Sequence, residues 1–473
     1  MGDRMASLRR HRVPVVLLGL GVRVTVLVGY RIKKPARGAP VNDRGGFMAS
    51  ITRRRFLTTT TGAGLAGIFA TGIPPARGQQ REISYLCWNN FAPLMDKKLD
   101  EIALRFTKDT GIKIKIDHIA AAQQAAKYAS EVQSQSGHDL VEMRMHFPWL
   151  YEGQLVDLSD IVGELEKKYG KALSSAAETA QVRGVWRAVP QYHGMFVATY
   201  REDLFKKASL KIPDTWEDLY TVGKELKKMG HPVGIPISQN YDTISTGGPV
   251  LWSFGGLEVD KDGKTVKINS PQTAQMIEWY KKMFRDCMEP EVLSWDDASN
   301  NQSIQQGKAG WIHNPVSAYI VAKQMKLPTG DTINHHKTPG GPKGRHETDV
   351  PRHIGIWRFS RNIAPAKEFI RYLLGTRERY DEYIMSADAF NLPVYEKLQD
   401  HPVLKKDPKY AALMDTKGIQ YHCYGWPAPP SDKVQLITNS FIMPNMIAKA
   451  VTGTSTKDAL AWAENEMKKI IAG

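Results

Sequence analysis

Six side chains in the middle of the chain invite a catalytic or metal-binding reading: the adjacent Asp296 and Asp297, and the histidines His335, His336, His346 and His353. A metal site needs ligands that return to one face, and neither a His-x3-His repeat nor a Cys/His spacing is present, so the histidines read as loop residues in solvent. Neighbouring aspartates diverge along the backbone and do not frame one glycosidic bond, so this pair reads as loop or helix-cap residues. No Gly-x-Ser-x-Gly elbow supports acyl transfer. Gly247-Gly248-Pro249 and Trp252 to Gly256 form a glycine-rich segment, but it lacks the Gly-Lys-Ser/Thr ending of a phosphate loop. Cys87, Cys287 and Cys423 are too few and too far apart for a disulfide framework or a zinc knuckle, and read as small buried hydrophobes. What remains is a supply of Trp, Asn, Asp and His near predicted strand ends. Apolar faces rimmed by hydrogen-bonding groups suit a pyranose ring better than a charged ligand. No metal, cofactor or catalytic group is expected.

The elements that must carry these groups follow a regular order. Glu82 to Cys87 reads as a buried strand, and Leu99, Ile102, Ala103 and Phe106 repeat at helical spacing up to a stop at Gly111. Ile112, Ile114 and Ile116 alternate with lysines as a half-exposed strand, an alanine-rich helix runs from Ala120 to Val132, and Asp139-Leu140-Val141 begins a third strand. This β-α-β-α-β order predicts a parallel, doubly wound sheet with ligands beyond the carboxyl ends of its strands. Trp88 and Asn89 follow the first strand, and His146, Phe147 and Trp149 follow the third. Further on, an apolar run from Met195 to Tyr200 leads into a short helix, Asp203 to Ala208. Thr215 and Asp218 then stand at capping-box spacing for another helix. Ser270-Pro271 opens a helix carrying Met276, Ile277, Tyr280 and Phe284, and Thr338 to Arg345 is turn chemistry.

With 473 residues and 42% hydrophobic composition, the chain is long enough for two or more cores. Its net charge of +15 is unevenly placed. Residues 1–78 carry fourteen Lys or Arg and two Asp, leaving fifty bases against forty-seven acids in 79–473. The remainder therefore lacks a nucleic-acid-binding signature. Arg53-Arg54-Arg55-Phe56-Leu57, a short apolar segment from Thr58 to Ile73, and Ala76-Arg77-Gly78 before Gln79 have the layout of a secretory signal, and the arginine pair resembles a twin-arginine signal. No cysteine falls within the apolar segment or just after it, so no lipid anchor is expected. Residues 1–47 read as a start-site extension ahead of Met48, with the signal over 48–78.

A strand ending in Tyr200, then Asp203-Leu204-Phe205-Lys206-Lys207-Ala208, then Pro213-x-Thr215-Trp216-Glu217-Asp218-Leu219 resembles the crossover of family 1 extracellular solute-binding proteins, the substrate receptors of ABC importers. Further segments resemble that family in the same order. They are Thr110-Gly111-Ile112-Lys113-Ile114, Ser136-Gly137-x-Asp139-Leu140-Val141 with His138 in place of the usual proline, Gly153-x-Leu155-x-Asp157-Leu158-Ser159, Gly307-Lys308-Ala309-Gly310-Trp311 and the closing helix Thr456 to Ile470. The resemblance spans about residues 82–471. It implies an α/β fold of the maltose-binding type: two doubly wound lobes joined by hinge crossovers, with lobe 1 over 79–193 plus 346–393 and lobe 2 over 194–345 plus 394–473. It also implies a monomeric periplasmic receptor that closes around a carbohydrate or polyol and delivers it to a membrane permease. Strand-end position together with the resemblance picks out Trp88, Trp252, Trp295 and Trp357 as platforms, with Asn89, His146, His193, Asn300 and Asn314 as hydrogen-bonders. Two alternatives stand beside this reading: a receptor for a charged small solute, such as a glycerol phosphate diester or a polyamine, and an exported carbohydrate-active enzyme.

Overall fold

A computed structural model describes residues 82–473, so the signal segment and the extension before it lie outside the described residues. Eleven strands are present among them: β1 Glu82–Trp88, β2 Lys113–Ile119, β3 Leu140–Arg144, β4 Gln181–Val182, β5 Val185–Trp186, β6 Val189–Met195, β7 Val197–Arg201, β8 Trp311–Asn314, β9 Ile333–His336, β10 Arg345–Ile356 and β11 Ile419–His422. β1 pairs in parallel with β2 on one side and β3 on the other, as the opening β-α-β-α-β order requires. The edge strand β2 keeps its lysines in water while β3 is buried along its whole length. Helices Pro93–Thr110 and Ala121–Ser134 make the crossovers, and Gly111 ends the first in the left-handed region at φ 74°.

The long strand β10 ties this sheet to the rest of the chain. Arg345 to Thr348 run parallel to β11, Asp349 to Ile354 antiparallel to β6, and Arg352 to Ile356 antiparallel to β3. A separate sheet, β8-β7-β9, has β7 antiparallel to both neighbours. Only Phe196 separates β6 from β7, so the chain leaves one sheet and enters the other at a single residue. The return is made between β9 and β10. Leu392 and Val394 still bond β6 and Leu173, Glu396 bonds Lys171, and Asp407 is the first residue seen against Tyr319 and Lys323 behind the other sheet.

Local chemistry explains the helix starts. The Thr215 hydroxyl accepts from the Asp218 amide at 3.0 Å and the Asp218 carboxylate accepts from the Thr215 amide at 3.0 Å, closing the capping box that opens helix Trp216–Lys228. Ser270 caps Pro271–Cys287 with its hydroxyl alone, which accepts from the Thr273 amide at 3.2 Å. The glycine-rich segment is no loop: it is the interior of a fully buried helix, Tyr241–Phe254, whose Gly247 and Gly248 leave room for Met443 and Trp252. The four histidines also depart from expectation. His335, His336, His346 and His353 all sit on strands, and His335, His346 and His353 are buried. Burial holds His335 near 4, and His336 and His353 near 3, so these imidazoles are neutral.

Candidate functional site

A cavity of about 50 Å³ opens where the ends of three strands and the start of one helix converge. Trp88 ends β1, Arg144 ends β3 and Asn314 ends β8; Tyr241, Asp242 and Ser245 come from the first turns of helix Tyr241–Phe254. Arg352 and Gly194 arrive from β10 and β6, and Tyr424, Phe390 and Asn391 from later segments. Both sheets contribute walls, as expected of a cleft at strand carboxyl ends.

Two stacked cations dominate the wall of the first sheet. The Arg352 guanidinium lies 3.7 Å from the Trp88 ring centroid and the Arg144 guanidinium 3.2 Å from that of Tyr241. Arg352 pairs with Glu142 at 3.2 Å, and Glu142 also accepts from the Trp88 amide at 3.1 Å and the Tyr192 hydroxyl at 2.8 Å. The register of β10 slips between Arg352 and His353. Such a bulge re-aims side chains: Arg352 lines the cavity, whereas His353 bonds Thr179 inside the core.

The opposite wall is acidic. One Asp297 oxygen accepts the amides of Tyr241 at 2.8 Å and Asp242 at 3.1 Å, two donors that a helix start would otherwise leave open. Asp242 accepts from Asn300 at 2.8 Å, and Asn300 reaches Asn314 at 3.3 Å. Burial, and then the charge of Asp297, pushes the Asp242 carboxyl well above the usual carboxylate range. Burial also raises Asp297, with Arg144 acting against it. The wall thus presents hydrogen-bonding oxygens with less negative charge than two free carboxylates would carry. No group of three or more His, Cys, Asp or Glu side chains suited to a metal occurs among the described residues.

A family model for bacterial extracellular solute-binding proteins matches residues 92–379, more than half of the chain. The chain belongs to that family. Solved structures agree on the fold. Maltose-bound MalE3 of T. maritima superposes with a TM-score of 0.72 at 19% identity, over 82% of this chain and 99% of that one. The sugar transporter of Arthrobacter chlorophenolicus A6 with bound laminaribiose gives 0.73 at 18%, over 82% and 99%. A solute-binding protein of an ABC transporter from Agrobacterium radiobacter K84, in complex with ribitol, gives 0.70 at 22%, over 82% and 98%. A search of curated protein sequences returned no match. The family is one of binding proteins rather than enzymes, so the enzyme alternative is set aside.

Of the residues singled out in this solute-binding protein by strand-end position, Trp88 and Asn314 stand on the cavity wall and Asn300 directly behind it. The others do not meet there. Trp357 is fully buried in a separate apolar cluster with Tyr128 and Phe147, its indole N–H donating to Glu131 at 3.0 Å, so it is a core residue and not a platform. Trp252 lies in the core against His346, His422 and Trp426. Trp295 lines a different cavity of about 250 Å³ with Lys227, Glu289 and Lys308. Asn89 is exposed and bonds Ile119 through its backbone. His146 turns inward and is held near 3 by burial; His193 is fixed by Asp349 at 2.6 Å.

Arg144, Arg352, Tyr241, Asp242 and Tyr424 were missed. Charges inside otherwise apolar strands, as in Leu140-Val141-Glu142-Met143-Arg144 and Val350-Pro351-Arg352, were the available signal. Of the loop and helix-cap roles that the sequence leaves open for Asp297, the second applies: from a distant loop it caps Tyr241–Phe254 while also lining the cavity.

Proposed function

We propose that this protein is the receptor of an ABC importer for a small hydroxylated solute, a sugar or polyol, which it holds between two lobes and passes to a membrane permease. The observation that carries the reading is the cavity itself: aromatic rings, two guanidiniums, and Asp242, Asn314 and Ser245 converge on one space from both sheets. Fixed hydrogen-bonding groups among aromatic faces recognise hydroxyls and the C–H faces between them. The neighbours with maltose, laminaribiose and ribitol support the class of solute.

About 50 Å³ is a third of the 150 Å³ that takes up a benzene ring. A sugar therefore enters only when the walls part, and the lobes open about the strands that pass between the sheets. We assign those passages to Phe196, to the stretch between β9 and β10, and to residues between His401 and Asp407. Export through a twin-arginine route, and release of a soluble monomer in the periplasm, complete the proposal. Thermal shift of the purified protein against a panel of sugars, polyols, glycerol phosphate diesters and polyamines, followed by a product assay, tests it. Stabilisation by sugars or polyols without turnover is the expected result. Stabilisation by polyamines alone, or turnover of a sugar, contradicts it.

A further inference from the structure

Arg144 and Arg352 are register partners across the antiparallel pair β3 and β10. Like charges directly opposite one another on neighbouring strands repel, and a buried pair does so with little solvent to screen it. Only one of the two has a direct ion-pair partner, although the Asp242 and Asp297 carboxyls act on Arg144 from a distance. Arg352 has Glu142, whereas Arg144, 4% exposed, makes no ion pair among the described residues. Its Nη2 donates to the Tyr424 hydroxyl at 3.2 Å, its plane rests on Tyr241, and its Nε has no hydrogen-bond partner. A guanidinium so placed is oriented on both sides yet short of an acceptor, and it faces the cavity.

The other groups on the wall narrow what that acceptor is. A cation is repelled by both arginines. A phosphate dianion needs more donors, and the helix start that would have supplied them has the amides of Tyr241 and Asp242 already given to Asp297. Asp242 and Asp297 in the same cavity further disfavour a double negative charge. A planar monoanion needs only the fork of one guanidinium, which matches a carboxylate. Asp242 takes one bond from Asn300, Ser245 meets the Tyr424 hydroxyl at 2.7 Å and the Asn314 amide donates to Pro315 and Ser317, so what these three offer to solute hydroxyls is the acceptor capacity left on their oxygens.

Resting on the reading of this cavity as the solute cleft, we propose that the solute is a hydroxylated monocarboxylate, a uronate or aldonate, with its carboxylate on Arg144 and its hydroxyls toward Asp242, Ser245 and Asn314.

Calorimetric titration of the purified full chain with D-galacturonate and D-gluconate, beside their neutral counterparts D-galactose and sorbitol, tests this. The acid of at least one pair is expected to bind about 100-fold more tightly than its neutral partner. Arg144→Gln should abolish that preference, bringing the ratio of acid to neutral affinity close to one. Arg144→Lys should restore part of it, since an ammonium keeps the charge but not the fork. Equal affinity for acid and neutral members in the unaltered protein overturns the carboxylate assignment while leaving the sugar-receptor reading intact, and this comparison needs no variant to fold. Binding of neither, by protein with a cooperative unfolding transition, overturns both.

Discussion

Glu142 is the residue whose removal should disturb the site most without touching solute. Its carboxylate accepts from the Trp88 amide, the Tyr192 hydroxyl and Arg352, all inside the protein. Glu142→Leu strands the Arg352 charge, a loss of about 3–5 kcal/mol for a buried pair broken on one side. The two other donors lose their acceptor as well, so a total near the top of that range is expected. Arg352→Met alone should cost less, because the remaining carboxylate keeps both of those donors. The double variant should be more stable than the two losses added together imply, by about 2 kcal/mol, since no charge is left stranded. Urea unfolding of the four proteins, with equal slopes as the control, gives the cycle. Losses that add to within about 0.5 kcal/mol refute the argument that Glu142 and Arg352 act as a unit.

Four further outcomes follow. Trp88→Ala should weaken solute binding by about 2 kcal/mol, by titration, as loss of a buried aromatic anchor does. Trp357→Ala should instead lower stability by about 3–5 kcal/mol in denaturant, since Trp357 belongs to the core. Burial raises the Glu258 carboxyl from its ordinary 4.5 to about 7, so the folded state holds this proton more tightly than the unfolded chain. The stabilisation is complete below the unfolded value of 4.5 and is lost as pH rises through 7. Glu258→Gln should accordingly gain about 3 kcal/mol on the parent between pH 4 and pH 9 in urea titrations; a gain independent of pH contradicts it. Replacing Arg53 and Arg54 by Lys should hold the protein in the cytoplasm on cell fractionation, because a twin-arginine route reads the guanidinium pair; normal export counts against that route.

Elements whose information is local were legible in the sequence. The period of the apolar residues placed helix Pro93–Thr110, and Thr215 with Asp218 announced a capping box that the structure closes. The glycine-rich stretch is not a phosphate loop, as its missing Gly-Lys-Ser/Thr ending implies, but its composition did not announce a helix, although Asn240 stands at the head of the segment as an N-cap, accepting from the Thr243 amide. The site was legible only in its position, at strand ends. Which side chain faces the cavity depends on pleat, bulge and partner strand: Arg144 and Arg352 lie far apart in sequence and become neighbours only when β10 pairs with β3. Trp357 and Trp88 look alike as tryptophans at strand ends, and pairing alone sends one into the core and the other to the cleft.

Closure of two lobes around a solute is the central claim, and small-angle scattering reads it directly. The radius of gyration is measured for the purified protein alone and at saturation with whichever sugar, polyol or sugar acid the titrations show to bind. A smaller radius with solute is predicted. An unchanged radius at a concentration where titration proves the site full would contradict the account.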